Sequence, residues 1–123
     1  MKKLMKMHGR LLIQNNDKRR IYQLIDMYLD EKINEAAFCH EFYCSYDLEL
    51  DYDTLTEEEY KAFYELSEIT IRFSEFEKDI KKYPGVYRTK EELKKKIIET
   101  KEKLVKYFEE FKNSDGSDGD LNV

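Results

Sequence analysis

Two four-residue segments constrain this chain more than anything else in it. Thr56-Glu57-Glu58-Glu59 and Thr89-Lys90-Glu91-Glu92 each place a glutamate three residues after a threonine. In that pattern the threonine hydroxyl accepts from the backbone N–H three residues on. The glutamate reaches back to the threonine's own N–H, so two orphan donors of a helix start are satisfied at once. Each segment therefore fixes where a helix begins. Behind the first, Tyr60, Phe63, Leu66, Ile69, Thr70, Phe73, Phe76 and Ile80 recur mostly at three- and four-residue spacing. Behind the second come Leu93, Ile97, Ile98, Leu104, Val105, Phe108 and Phe111. Both are stripes of amphipathic helices. They predict one helix over about 56–82, stopped by Tyr83-Pro84-Gly85, and another over 89–112.

The first half of the chain reads the same way. Asp17 is a candidate cap for a helix over 17–32, with Ile21, Leu24, Ile25, Tyr28 and Leu29 on one face. Asn34 is a candidate cap for a helix over 34–46, carrying Ala37, Phe38 and Phe42. Between residues 47 and 55 apolar and acidic residues alternate, as in a strand. No second stretch alternates, so a strand there has nothing to pair with, and the segment reads as an extended acidic loop. The expected fold is all-α, an antiparallel four-helix bundle over residues 17–112. Ile25, Phe42, Phe63, Phe73, Ile97, Leu104 and Phe108 are its expected core. Residues 1–16 read as a basic flexible arm, and 113–123, polar and aperiodic, as a disordered acidic tail.

Several functions are poorly served by this residue set. Cys39 and Cys44 lie five apart in a helical pattern, roughly 140° around the axis, so they cannot bridge within one helix. They read as reduced thiols of a cytoplasmic protein. His40 and Cys44 share a helix face, yet zinc needs four ligands, or three and water. The only other histidine is His8, so no metal site and no cofactor is expected. Carboxylates abound but occupy loops and wet faces, where nothing raises their pKa for acid catalysis. No phosphate-cradling glycine loop or nucleophile–base pair appears, and the chain reads as a non-enzyme. No stretch approaches the roughly 20 apolar residues of a membrane span.

Charge is the remaining signal. Residues 1–25 hold seven Lys/Arg against Asp17 alone, a net of +6. Residues 26–59 hold twelve Asp/Glu against Lys32 alone, a net of −11. The acids mass between Asp47 and Glu59 and interleave with Tyr46, Tyr52 and Tyr60, the residue type enriched at binding hot spots. Such a surface repels nucleic acid and attracts a basic protein face. The predicted partner-binding residues are Tyr46, Asp47, Glu49, Asp51, Tyr52, Asp53, Glu57 and Glu58. Neither a membrane nor a direct nucleic-acid partner is expected.

Leu24, Ile25, Tyr28, Leu29, Ile33, Phe38 and Phe42 outline a short amphipathic helix, a tight turn and an aromatic-spaced helix. A loop follows, then Leu55-Thr56-Glu57-Glu58-Glu59-Tyr60 opens a further helix, and Lys90 to Phe111 closes the chain. Over residues 20–111 this order resembles the colicin D-type immunity proteins and their relatives in contact-dependent growth inhibition. The resemblance implies a cytoplasmic helical bundle that binds a cognate toxin nuclease, usually one that cleaves tRNA, and covers its active site. The assignment of the acidic run to that interface comes from charge alone. A nuclease cleft built for a polyanion is basic, and clustered carboxylates can occupy it. The competing reading is a small helical adaptor or regulator that uses Lys2, Lys3, Lys6, Arg10, Lys18, Arg19 and Arg20 on nucleic acid.

Overall fold

The computed structural model describes residues 6–7, 10–11 and 13–111. The fold is all-α. Among the described residues the extended structure is a two-residue antiparallel pairing of Lys6–Met7 with Arg10–Leu11 and a parallel bridge between Phe73 and Arg88. The expected tail, 113–123, lies outside the described residues, as do the side chains of the first twelve.

Helix α1, Arg19–Leu29, buries Ile21, Tyr22, Leu24, Ile25 and Tyr28, the stripe expected from spacing. Asp17 stands two residues before it rather than at the cap. Its carboxylate accepts from the Arg19 N–H at 2.9 Å and grips the Arg19 guanidinium. Glu31 then takes a left-handed conformation, φ 62°. The Lys32 N–H closes back on the Met27 carbonyl at 2.8 Å, which ends the helix without a glycine.

Helix α2, Glu35–Phe42, starts at Asn34, whose side chain accepts from the Ala37 N–H at 2.8 Å. It continues into a seven-residue π-helical segment, Tyr43–Glu49, and, after Leu50, a 3-10 turn at Tyr52–Thr54. The acidic segment is thus not an extended loop. Core contacts hold the wider turns. Tyr46 stacks on Phe42 with centroids 5.3 Å apart, and the buried Ser45 hydroxyl donates to the Asn15 carbonyl at 2.8 Å. Leu50 turns inward, and its N–H closes the last wide turn on the Ser45 carbonyl.

Helix α3, Glu57–Thr70, opens on the first capping box with both arms made. It ends twelve residues earlier than the expected 82. The run Ile69-Thr70-Ile71 is β-branched, a poor helix continuation. Beyond it the backbone finds other partners. Ser74 N–H donates to the Arg88 carbonyl, and Arg88 N–H to that of Arg72. The Ser74 hydroxyl accepts from Phe76 N–H and donates to Asp79, which starts a separate short helix, α4, Glu77–Lys82. No residue of α4 is fully buried. Phe73 is only half-buried and Phe76 exposed, so the stripe drawn through them is not a core stripe.

Gly85, at φ 85°, turns the chain toward α5, Lys90–Lys103, whose capping box at Thr89 is also complete. The expected single helix to 112 breaks at Leu104 and resumes over 105–111. Thr100 is buried and its hydroxyl bonds back to the Lys96 carbonyl at 2.8 Å, a contact that bends helices. Helices α3 and α5 pack on each other, α1 on α2 and α5, and α2 on α3. Between them lie Ile21, Leu24, Ile25, Phe38, Phe42, Phe63, Leu66, Leu93 and Ile97, all without solvent access. Among the described residues no helix is long and apolar enough to cross a membrane.

Candidate functional site

The acidic run is assembled on the end of this core by three helix boundaries: the π-helical segment, the 3-10 turn and the first turn of α3. Asp47 and Glu49 lie on the first, Tyr52 and Asp53 on the second, and Glu57 and Glu58 on the third. Asp51 caps the 3-10 turn, its carboxylate accepting from the Asp53 N–H at 3.0 Å. Glu57 and Glu58 sit where the positive end of the α3 dipole favours them.

The predicted site residues divide by what they touch. Asp47, Glu49, Asp51, Asp53 and Glu57 are exposed, and no described cation pairs with any of them. Glu58 differs. The Tyr107 hydroxyl donates to it at 2.9 Å and Lys106 lies 3.4 Å away, and these contacts hold its carboxyl below the usual range. Tyr46 is 4% exposed, so it supports the surface rather than forming it. Glu59, the acid that completes the run, is 1% exposed. It receives the Lys18 ammonium at 2.8 Å, the Thr56 N–H at 2.9 Å and the Tyr22 hydroxyl. Burial works to raise its pKa, but these donors outweigh burial and hold it below the usual glutamate range. Asp47 has no such donors, and partial burial alone pushes its carboxyl up.

A row of aromatic rings runs under and out of this surface. Tyr28, Phe38, Phe42, Tyr46, Tyr52, Tyr60 and Tyr64 make consecutive ring contacts with centroids between 5.1 and 6.2 Å. The inner members belong to the core. The outer three emerge: Tyr52 is 43% exposed, Tyr60 45% and Tyr64 48%. The Tyr52 hydroxyl donates to the Tyr46 carbonyl at 2.8 Å, which fixes the ring over the π-helical turn. Sequence spacing put Tyr60 in the core stripe of α3. It stands outside that stripe, which runs through Ala62, Phe63 and Leu66. Tyr64 was not anticipated at all. Its signal was the i,i+4 step from Tyr60, which keeps the two on one helix face.

The other candidate chemistries are weaker. Cys39 and Cys44 are both free thiols. Burial, with Glu35 adding to it, pushes the Cys39 thiol up to about 12. His40 Nε2 lies 3.7 Å from Cys44 Sγ. Among the described residues no group of three or more His, Cys, Asp or Glu side chains is placed to hold a metal ion. A cleft of about 630 Å³ beside the α5 start mixes Glu35, Glu75, Glu77 and Glu91 with Lys81 and Lys90 over Phe73 and Ile80. Its charges are of both signs, so it selects neither an anion nor a cation. On the basic side, Lys18 pairs with Glu59, Arg19 with Asp17 and Arg20 with Glu41. Three of the seven cations expected to face phosphates are thus engaged within the chain.

Searches against family models, curated proteins and solved structures return no match.

Proposed function

We propose that this protein is an immunity protein, a cytoplasmic binding module that neutralises a bacterial toxin nuclease by laying its acidic surface into the nuclease's basic cleft. In this reading α1, α2, α3 and α5 make an antiparallel four-helix core that carries the surface, and the protein catalyses nothing. One observation carries the reading. Five exposed carboxylates, Asp47, Glu49, Asp51, Asp53 and Glu57, share one end of the core with exposed tyrosines, and no described cation pairs with them. Like charges held together cost folding free energy, and an external basic face relieves that cost on binding. Fast steered association suits the capture of an incoming toxin. The resemblance of residues 20–111 to the colicin D-type immunity proteins suggests the kind of basic partner. A phosphate-binding role for the N-terminal cations is less well supported, because Lys18, Arg19 and Arg20 are engaged in ion pairs.

The test uses growth. Cells arrested by the product of the adjacent upstream reading frame should recover when this chain is co-expressed. The Glu49→Lys, Asp53→Lys double variant should fold, because neither side chain has a described partner, and should not restore growth. Lys94→Glu with Lys95→Glu, on the α5 surface, should restore it like the parent. Full recovery with the first double variant would refute the acidic interface. No arrest by the upstream product would refute the immunity reading.

A further inference from the structure

The tyrosines that reach the surface differ in what covers them, and Tyr43, 45% exposed, stands apart from both sets described next. Lys82 lies over the Tyr83 ring at 5.5 Å from its centroid, and Lys106 over the half-buried Tyr107 ring at 5.1 Å. No described cation covers Tyr52, Tyr60 or Tyr64, although Lys61 lies on the same helix as Tyr60 and Tyr64. These three are the rings that continue the internal row to the surface. Tyr60 and Tyr64 are near parallel, 18° apart at 6.2 Å, and Tyr52 meets Tyr60 edge-on at 67° and 6.0 Å. The result is an open ledge of ring faces and edges, not an enclosing box. Asp47 follows Tyr46 on the π-helical segment that the Tyr52 ring overlies, is exposed and pairs with no described cation, and its charge adds to the burial that raises the Tyr46 and Tyr52 hydroxyls.

A ledge of this shape discriminates between cations. A guanidinium is flat, lies along ring faces and carries a fork of donors for a carboxylate beside them. It is also less strongly hydrated than an ammonium, so it gives up water more cheaply on an open surface. An ammonium is compact and keeps its hydration, and it is best held by a cage that surrounds it. We propose that Tyr52, Tyr60 and Tyr64, with Asp47, form a seat for arginine side chains of the basic partner. This deepens, and rests on, the reading of the acidic surface as the docking face for a basic protein. It assigns specificity to the tyrosine ledge and long-range attraction to the carboxylates.

Fluorescein-labelled octa-arginine and octa-lysine peptides carry equal charge and separate the two effects. Binding to the full chain is read by anisotropy at low salt. Octa-arginine should bind at least about fivefold more tightly than octa-lysine, as expected for roughly 1 kcal/mol of cation–π contact. Tyr60→Ala with Tyr64→Ala should erase that preference and leave octa-lysine binding unchanged. Tyr60→Phe with Tyr64→Phe should keep the preference, because the ring face and not the hydroxyl provides it. Glu49→Lys with Asp53→Lys should weaken both peptides alike. Circular dichroism checks that each variant folds. Equal binding of the two peptides, both lost in the charge-reversed variant, would overturn the arginine seat and leave the acidic docking face standing. Failure of both peptides to bind the parent chain would overturn both.

Discussion

Two acidic regions of this molecule, built from the same residue types, are electrostatic opposites. On the α3–α5 face, Glu65 takes Lys103 at 2.9 Å and Lys96 at 3.2 Å, and Glu58 takes Lys106. Nearby on α1, Asp26 takes Lys101 at 2.8 Å. At the 47–57 end, five exposed carboxylates meet no described cation. The difference does not lie in how acidic each region is. It lies in whether another helix brings lysines alongside. Helix α5 lays its lysines along α3 and reaches α1, but no described cation pairs with an acid of the π-helical segment or 3-10 turn, and Lys18, which reaches the Thr54 carbonyl there, is paired with Glu59. A run of acids is open to an external cation only where folding leaves it unneutralised.

Breaking the contrast at its strongest point should give the largest effect. Glu49→Lys with Asp53→Lys puts like charges against a basic partner, and affinity should fall roughly thousandfold or more, about 4 kcal/mol or above. Surface plasmon resonance against the basic partner that the proposed function requires, purified as the product of the adjacent upstream frame, measures it. Most of the loss in on-rate should vanish as salt rises, since exposed charges are screened beyond about 8–10 Å near physiological ionic strength. An undiminished affinity would remove the contrast's functional meaning.

Next in size is Glu59, the acid of the run that the fold neutralises within the core. Glu59→Ala leaves the Tyr22 hydroxyl buried without its acceptor, frees Lys18 and removes half the α3 capping box. Folding stability should drop by about 3 kcal/mol, measured by urea denaturation. Its pH dependence has a definite sign. The folded carboxyl sits below its unfolded value of about 4.3. Its contribution is therefore complete above that value and is lost as pH falls through the lower folded value. Glu59→Gln should flatten the acid limb of the stability curve. A limb as steep as the parent's would show that other carboxylates set it.

The paired surface should respond weakly. Glu65→Gln breaks contacts to two lysines that solvent already screens, and should cost about 0.5–1 kcal/mol. The unpaired surface should respond in the opposite direction. Burial without donors raises Asp47 in the folded state, so the folded protein binds its proton more tightly than the unfolded chain does. Its carboxylate then subtracts stability at neutral pH, and that cost is relieved as pH falls through the raised folded value. Asp47→Asn should stabilise the protein slightly, by no more than about 0.5 kcal/mol. Destabilisation by both Glu65→Gln and Asp47→Asn, in parallel thermal melts, would erase the distinction between the two regions.

Much of the fold was legible in the chain because its signals are local. The capping boxes at Thr56 and Thr89, the Asn34 cap and the stripe of α1 each depend on residues within one or two turns, and the structure makes all of them. Six of the seven expected core residues are buried. The exception, Phe73, shows where local reading fails. A helical stripe through Ile69, Phe73, Phe76 and Ile80 satisfies the spacing rule, but the backbone beyond Thr70 bonds instead to Arg88, fifteen or so residues away. No window of the sequence contains that competition.

The candidate surface divides along the same line. Its charge was fixed by the sequence alone, since twelve acids against one base leave a negative region whatever the fold. The residues that matter within that charge were decided by tertiary structure. Alternation between residues 47 and 55 reads as extended, yet stacking of Tyr46 on Phe42 and burial of Ser45 hold wide helical turns on which Asp47 and Glu49 are exposed. Glu59 was drawn inward by Tyr22 and Lys18, Glu58 was claimed by Tyr107 and Lys106, and Tyr60 was turned outward with Tyr64. Helix caps and stripes are set by neighbours along the chain, but neutralisation and exposure are set by neighbours across it.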